Sequence, residues 1–197
     1  MKKIGMIGGL AWPSTIEYYK GLCTKTNAHY KQMGVTPPYP TPPMVIESVN
    51  INETRKLRGR ENDEASWERY DVFFREAFQR LREAGADFGC IASNTPHMRL
   101  KSITKELDFP IISILDVTAE AVRSLGGKRA LILGTAVTMK STAYAEILQK
   151  HGIATFPRLD EKKIMELERL IDVDLYEKAI PVVRERIVSL CRGFLNG

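Results

Sequence analysis

Apolar and polar residues along this chain switch between two periods, and the switches mark its elements. Lys3 to Gly8 (KIGMIG) is a short apolar run closed by glycine, which predicts a buried strand and a tight turn. Ser14-Thr15 and the following IEYYKGLCTKTNAHY have the composition of a helix opening. Five prolines between Met33 and Pro43 forbid a helix and predict an extended loop. Met44 to Val49 is apolar and β-branched, a second strand, and the charged stretch Asn50 to Asp63 follows it. From Ala65, the residues Trp67, Tyr70, Phe74, Ala77, Phe78 and Leu81 recur at helical spacing as far as Gly85, so one stripe of this helix faces a core. Phe88 to Ala92 predicts a buried strand with Ser93-Asn94-Thr95-Pro96-His97 at its carboxyl end. A further helix is expected before Pro110, where PIISIL opens another strand.

Strands alternating with helices build a parallel α/β sheet, whose ligand crevices lie at the carboxyl ends of the strands. An internal echo extends this reading. Lys2 to Tyr18 (KKIGMIGGLAWPSTIEY) and Lys128 to Tyr144 (KRALILGTAVTMKSTAY) coincide, with a one-residue gap, in a basic pair, an apolar run, Gly8 or Gly134, Ser-Thr and Tyr. The echo predicts two pseudo-symmetric α/β lobes, each a parallel sheet flanked by helices, at residues 1–110 and 111–197. Ile180, Val183, Ile187, Leu190 and Phe194 mark the amphipathic helix of the second lobe. The second lobe's counterpart of the FGCIASNTPH strand is then expected beyond residue 197, leaving that lobe incomplete.

Composition narrows the function classes. With 197 residues and 44% hydrophobic content, the chain can bury a sizeable core. Its 29 basic and 24 acidic side chains give a formal charge of +5, but the signs are interspersed and no basic stripe forms, so nucleic acid is not an expected partner. No apolar run reaches the roughly 20 residues of a membrane span. The start, Met1 to Trp12, is rich in glycine and lacks a small-residue cleavage site, unlike a signal peptide. Cys23, Cys90 and Cys191 are odd in number and lack CxxC or Cys/His spacing, which predicts neither a disulfide framework nor a metal site. The expectation is a cytoplasmic protein without a metal.

IGMIGGLAWPSTIEYY at 4–19, AGADFGCIASNTPH at 84–97 and LGTAVTM at 133–139, in that order, resemble the aspartate/glutamate racemase superfamily. The resemblance implies a two-lobed, commonly dimeric α/β enzyme that racemises amino acids without pyridoxal phosphate or metal. Relatives on the same fold isomerise maleate, racemise hydantoins or decarboxylate arylmalonates. The implied partners are an amino acid or dicarboxylate and a second copy of the chain, with no cofactor. Two thiols, one from each lobe, are implied to face opposite sides of the substrate's α-carbon, one removing the α-proton and the other delivering a proton to the far face.

The first thiol of that scheme belongs to a Cys-Asn-Thr-x-His motif, which here reads Ser93-Asn94-Thr95-Pro96-His97. A hydroxyl is a far weaker acid than a thiol, so Ser93 either relays a proton on one face or only hydrogen-bonds the ligand. The motif of the second thiol, Gly-Cys-Thr-Glu, does not occur in the 197 residues. Strand alternation points Cys90 away from the Ser93 side, and Cys191 falls within the last helix; both read as core.

The resemblance also implies that His97 tunes or orients position 93, and that Asn94 and Thr95 hold the substrate. Gly9 and Leu10 are implied to offer backbone N–H groups to a carboxylate, although any strand-to-helix turn favours such glycines. Arg55 falls where a guanidinium would grip a distal carboxylate, with Arg58 and Arg60 as rivals, and Lys178 is the one candidate for a late lysine. Thr135, with Thr138 and Met139, either lines the crevice or belongs to a plain helix start capped by Thr138 or Ser141. Two functions stay open: a cofactor-independent racemase, and a non-catalytic amino-acid or carboxylate binder of the same superfamily. A nucleotide-binding module would need GxGxxG or GxxxxGK[ST], and neither occurs.

Overall fold

The computed structural model describes residues 1–60, 62–157, 159–175 and 180–195. The chain divides into two compact units, Met1–Ile114 and Leu115–Gly197. Both are α/β, with parallel strands flanked by helices.

The first unit opens with β1 (Ile4–Gly8), α1 (Trp12–Gln32), β2 (Met44–Ser48) and α2 (Ile51–Lys56). A 3-10 turn (Glu64–Trp67) leads into α3 (Glu68–Glu83), then β3 (Phe88–Ile91), a second 3-10 turn (Thr95–Arg99) and α4 (Leu100–Ile103). The strands lie in the order β2-β1-β3, all parallel, with Ile4 opposite both Met44 and Phe88. All five residues of β1 are buried, as its unbroken apolar pattern requires of a central strand. The stripe read from the sequence forms the inner face of α3: Tyr70, Phe74, Ala77, Phe78 and Leu81 are each at most 1% exposed. They pack with Ile7, Leu10, Ile91 and Ile103 into one core.

The start of α1 differs from expectation. The helix begins at Trp12 with Pro13 in its first turn, and neither Ser14 nor Thr15 caps it. Thr15 Oγ1 instead reaches back to accept the Gly9 N–H at 2.9 Å. The strand expected from Pro110 also fails to extend. Gly89 donates to Pro110 O and Ile112 donates to Gly89 O, each at 2.8 Å, and among the described residues the segment adds one bridge, Gly89 with Ile111. The chain then enters α5 (Ile114–Ser124), because Ser113-Ile114-Leu115-Asp116 has the residue order of a helix start.

In the second unit, β4 (Arg129–Ala130) pairs with β5 (Ala154–Thr155). Between them lie α6 (Ala136–Lys140) and α7 (Ala143–Lys150). The ladder between β4 and β5 closes with Phe156 N–H donating to Ala130 O at 2.9 Å. α8 (Glu161–Arg169), a π-turn (Leu170–Asp174) and α9 (Ile180–Leu195) follow. Val183 of α9 is buried beside Met139, Ile164 and Leu167, while Ala119, Leu148 and Ile153 form a separate small core.

Candidate functional site

Parallel strands that start in register also end in register, so the carboxyl ends of β1, β2 and β3 form one rim. Backbone bonds close it: Val49 N–H donates to Gly8 O at 3.0 Å, and Ala92 N–H donates to Ile7 O at 2.9 Å. The turn Gly9-Leu10 after β1 and the segment Ser93–His97 after β3 are thereby brought side by side. α3 runs back across the sheet, so its first turns, bearing Tyr70 and Asp71, lie toward this same rim. Its last turn reaches the opposite end, where a Cβ on Gly5 of β1 would lie 3.2 Å from Leu81 Cβ.

Gly9 is required by both conformation and space. Its φ is +80°, and a Cβ there would lie 2.2 Å from Val49 O. Its N–H is already committed to Thr15 Oγ1, so that donor serves the turn. The side chain of Leu10 is buried in the core, and only its backbone belongs to the rim.

Ser93 and Asn94 are half-buried, and Thr95 and His97 are buried. The His97 ring touches Ser93 through the backbone: Nδ1–H donates to Ser93 O at 2.8 Å, which assigns the ring proton to Nδ1. His97 N–H donates to Asn94 O at 3.0 Å. The histidine therefore holds the shape of the segment through the Ser93 and Asn94 carbonyls. The thiol of Cys90, on the preceding strand, is pushed up to about 11 by burial, so it is protonated at neutral pH and unsuited to proton abstraction there. Burial also raises Cys191, within α9.

Among the arginines, Arg55 is exposed on α2, and Arg60 is exposed as well. Arg58 turns inward: its guanidinium charge acts on the Tyr70 phenol, and its Nε is buried without an acceptor among the described residues. Burial holds the Tyr70 phenol well above its usual range, with Arg58 partly offsetting the effect. In the second unit Thr135 starts α6, with its Oγ1 3.3 Å from Thr138 Oγ1 and no side-chain cap to the helix. Thr138 is buried inside α6, whereas Ser141 Oγ accepts the Ala143 N–H at the start of α7. Lys178 lies outside the described residues.

Sequence reasoning missed Thr15, Tyr70 as a polar partner, and a charged cluster around Asp71. Asp71, 2% exposed, pairs with Arg99 in the 3-10 turn after Thr95. An acidic residue inside an otherwise apolar helical stripe was its available signal. No cluster of three or more potential metal ligands occurs among the described residues. No helix there is long and apolar enough to cross a membrane.

The fold and site together define an α/β protein with a polar, glycine-turned rim at the carboxyl ends of parallel strands. Residues 7–196 match the Asp/Glu/Hydantoin racemase family, and the chain belongs to it. It is similar to a putative Asp/Glu racemase from Yersinia pestis, with a TM-score of 0.79 and 25% identity over 100% of this chain and 81% of the other. It also resembles an aspartate racemase homologue from Pyrococcus horikoshii OT3, with a TM-score of 0.70 and 28% identity over 90% of this chain and 74% of the other. A glutamate racemase from Aquifex aeolicus is 30% identical over 88 residues, 44% of this chain and 35% of that protein. The match thus spans about a third of that relative's length.

Proposed function

We propose that this protein is a cofactor-independent amino-acid racemase of the aspartate/glutamate type, with the Ser93–His97 segment facing the substrate's α-carbon. The observation that carries this is the pairing of that segment with the Gly9-Leu10 turn on one strand-end rim, in a member of a racemase family. In this reading Ser93 holds or moves a proton on one face of the α-carbon, and Asn94 and Thr95 bind the amino and carboxylate groups. Leu10 contributes its backbone to the carboxylate. Of the three arginines, Arg58 is better suited than Arg55 to a distal carboxylate, because its half-buried guanidinium keeps an N–H without an acceptor among the described residues. His97 acts on Ser93 through its carbonyl, as a positioning residue. Exposed Trp12, Ile16 and Tyr19, spaced along one side of α1, support a homodimer, which sedimentation analysis tests.

The serine favours a second reading: a carboxylate-binding protein that keeps the cradle but does not turn over, since an alkoxide is far harder to populate than a thiolate. One experiment separates the two. Incubation with L- or D-aspartate or glutamate in heavy water should give deuterium at the α-carbon and loss of rotation, and Ser93→Cys should raise that rate by about 100-fold or more. Binding without exchange in the wild type, with exchange appearing in Ser93→Cys, selects the second reading. No binding and no exchange in either protein rejects both.

A further inference from the structure

Behind the candidate site, one cation joins groups that lie 28 and 35 residues before it in the sequence. The Arg99 guanidinium forks onto Asp71, with Nε donating to Oδ1 at 3.1 Å and Nη2 to Oδ2 at 2.6 Å. Its Nη1 donates to Glu64 Oε1 at 2.6 Å, and its Cζ lies 5.5 Å from the centre of the Trp67 ring. The Asp71 side chain is 3% exposed and that of Arg99 14%, whereas Glu64 is open to solvent. A planar guanidinium can make all of these contacts at once; a lysine ammonium has no fork to match a carboxylate while lying over a ring.

The groups that Arg99 grips are tied to the segment carrying the inward-turned arginine. Trp67 Nε1–H donates to Arg60 O at 3.0 Å, and Arg60 N–H donates to Ser66 Oγ at 2.7 Å. A Cβ on Gly59 would lie 2.5 Å from the Trp67 ring, so the chain beside Arg58 is pressed against that indole. On the other side, Arg99 ends the 3-10 turn that begins at Thr95, and the turn is bonded to Asn94 and Ser93 through His97.

We propose that Arg99 is a positioning residue that sets the Arg58–Arg60 segment and the Ser93–His97 segment together, so that one guanidinium fixes the separation of distal-carboxylate and α-carbon contacts. This rests on the racemase reading for the roles of the two segments, but the coupling itself is a property of the fold. A structural ion pair alone would stabilise α3 against the 3-10 turn without controlling the loop beyond Trp67.

The test uses the full chain labelled with 15N, with variants Arg99→Met, Arg99→Lys and Glu64→Ala. In Arg99→Met, the amide resonances of residues 58–60 and of 94, 95 and 97 should shift together while those of Ile4–Gly8 stay in place, and aspartate should bind at least tenfold more weakly. Arg99→Lys, which keeps the charge without the fork, should leave both sets displaced. Glu64→Ala should move residues 58–60 and leave 94–97 unmoved. If Arg99→Met fails to fold, Arg99→Lys and Glu64→Ala carry the test on the same resonances. Shifts confined to one segment in the Arg99 variants, or a lowered Tm with neither segment displaced, overturn the proposal. A wild type that neither binds nor exchanges aspartate rejects the racemase reading, while the resonance pattern still decides the coupling.

Discussion

The two units solve the same architectural problem with different resources. In the first, β1 is buried along its whole length between two partners, and a single aromatic and aliphatic core, with three of its rings on α3, covers it. In the second, the parallel pair is two residues long, and the apolar residues divide into two small clusters. A long register aligns strand ends and gives loops a common rim to stand on. Two paired residues fix little beyond themselves, and Thr135, at the start of α6, makes a threonine–threonine approach with no helix cap. Candidate chemistry is therefore concentrated where the sheet is longest.

The contrast can be broken by deleting one buried side chain from each unit. Phe74, at 0% exposure between Tyr70 and Phe73, should cost about 3–5 kcal/mol as Phe74→Ala, measured by urea denaturation. Leu148→Ala, in the small cluster of the second unit, should cost about 2 kcal/mol, the lower end for such changes. Equal losses would mean that the smaller clusters are packed as tightly as the aromatic core.

Glycines sharpen the comparison. Gly9 and Gly152 share a left-handed backbone, with φ of +80° and +73°, but a Cβ on Gly9 would meet Val49 O at 2.2 Å and one on Gly152 meets nothing within 4 Å. Gly152→Ala should lose about 1 kcal/mol from the backbone alone, and Gly9→Ala about 3 kcal/mol because the rim must also move. Matched values in thermal melts would remove the close approach from the account of the turn.

The smallest effect concerns Cys90. Its thiol is raised from 9.0 to about 11 by burial, so the folded state holds its proton longer than the unfolded state does. That contribution is fully present below pH 9 and is lost as the pH climbs toward 11, by about 1 kcal/mol at pH 10. Cys90→Ala should flatten the stability profile over this window; an unchanged slope would show that the thiol is not responsible.

Much of the first unit could be read from residue order. The stripe from Tyr70 to Leu81 has one satisfactory arrangement, a helix against a core, and KIGMIG and FGCI have compositions suited to buried strands. The Ser93–His97 segment was placed at a strand end by the same local rule. The apolar pattern misled where partners decide the outcome. PIISIL has strand composition but bridges Gly89 once before Ser113 turns the chain into a helix, and β4 pairs over two residues although an apolar run follows it.

Side-chain roles were harder still, since they depend on neighbours far along the chain. Thr15 looks like a helix opener in isolation and becomes the acceptor for Gly9 only when α1 folds back on β1. Arg55, Arg58 and Arg60 are equivalent in composition, and burial against Tyr70 alone distinguishes Arg58. Arg99 carried no signal until α3 placed Asp71 opposite it. Periodicity records which face of an element must leave water, and that is local. A hydrogen-bond donor takes whichever acceptor the folded chain places within about 3 Å, which is a tertiary fact.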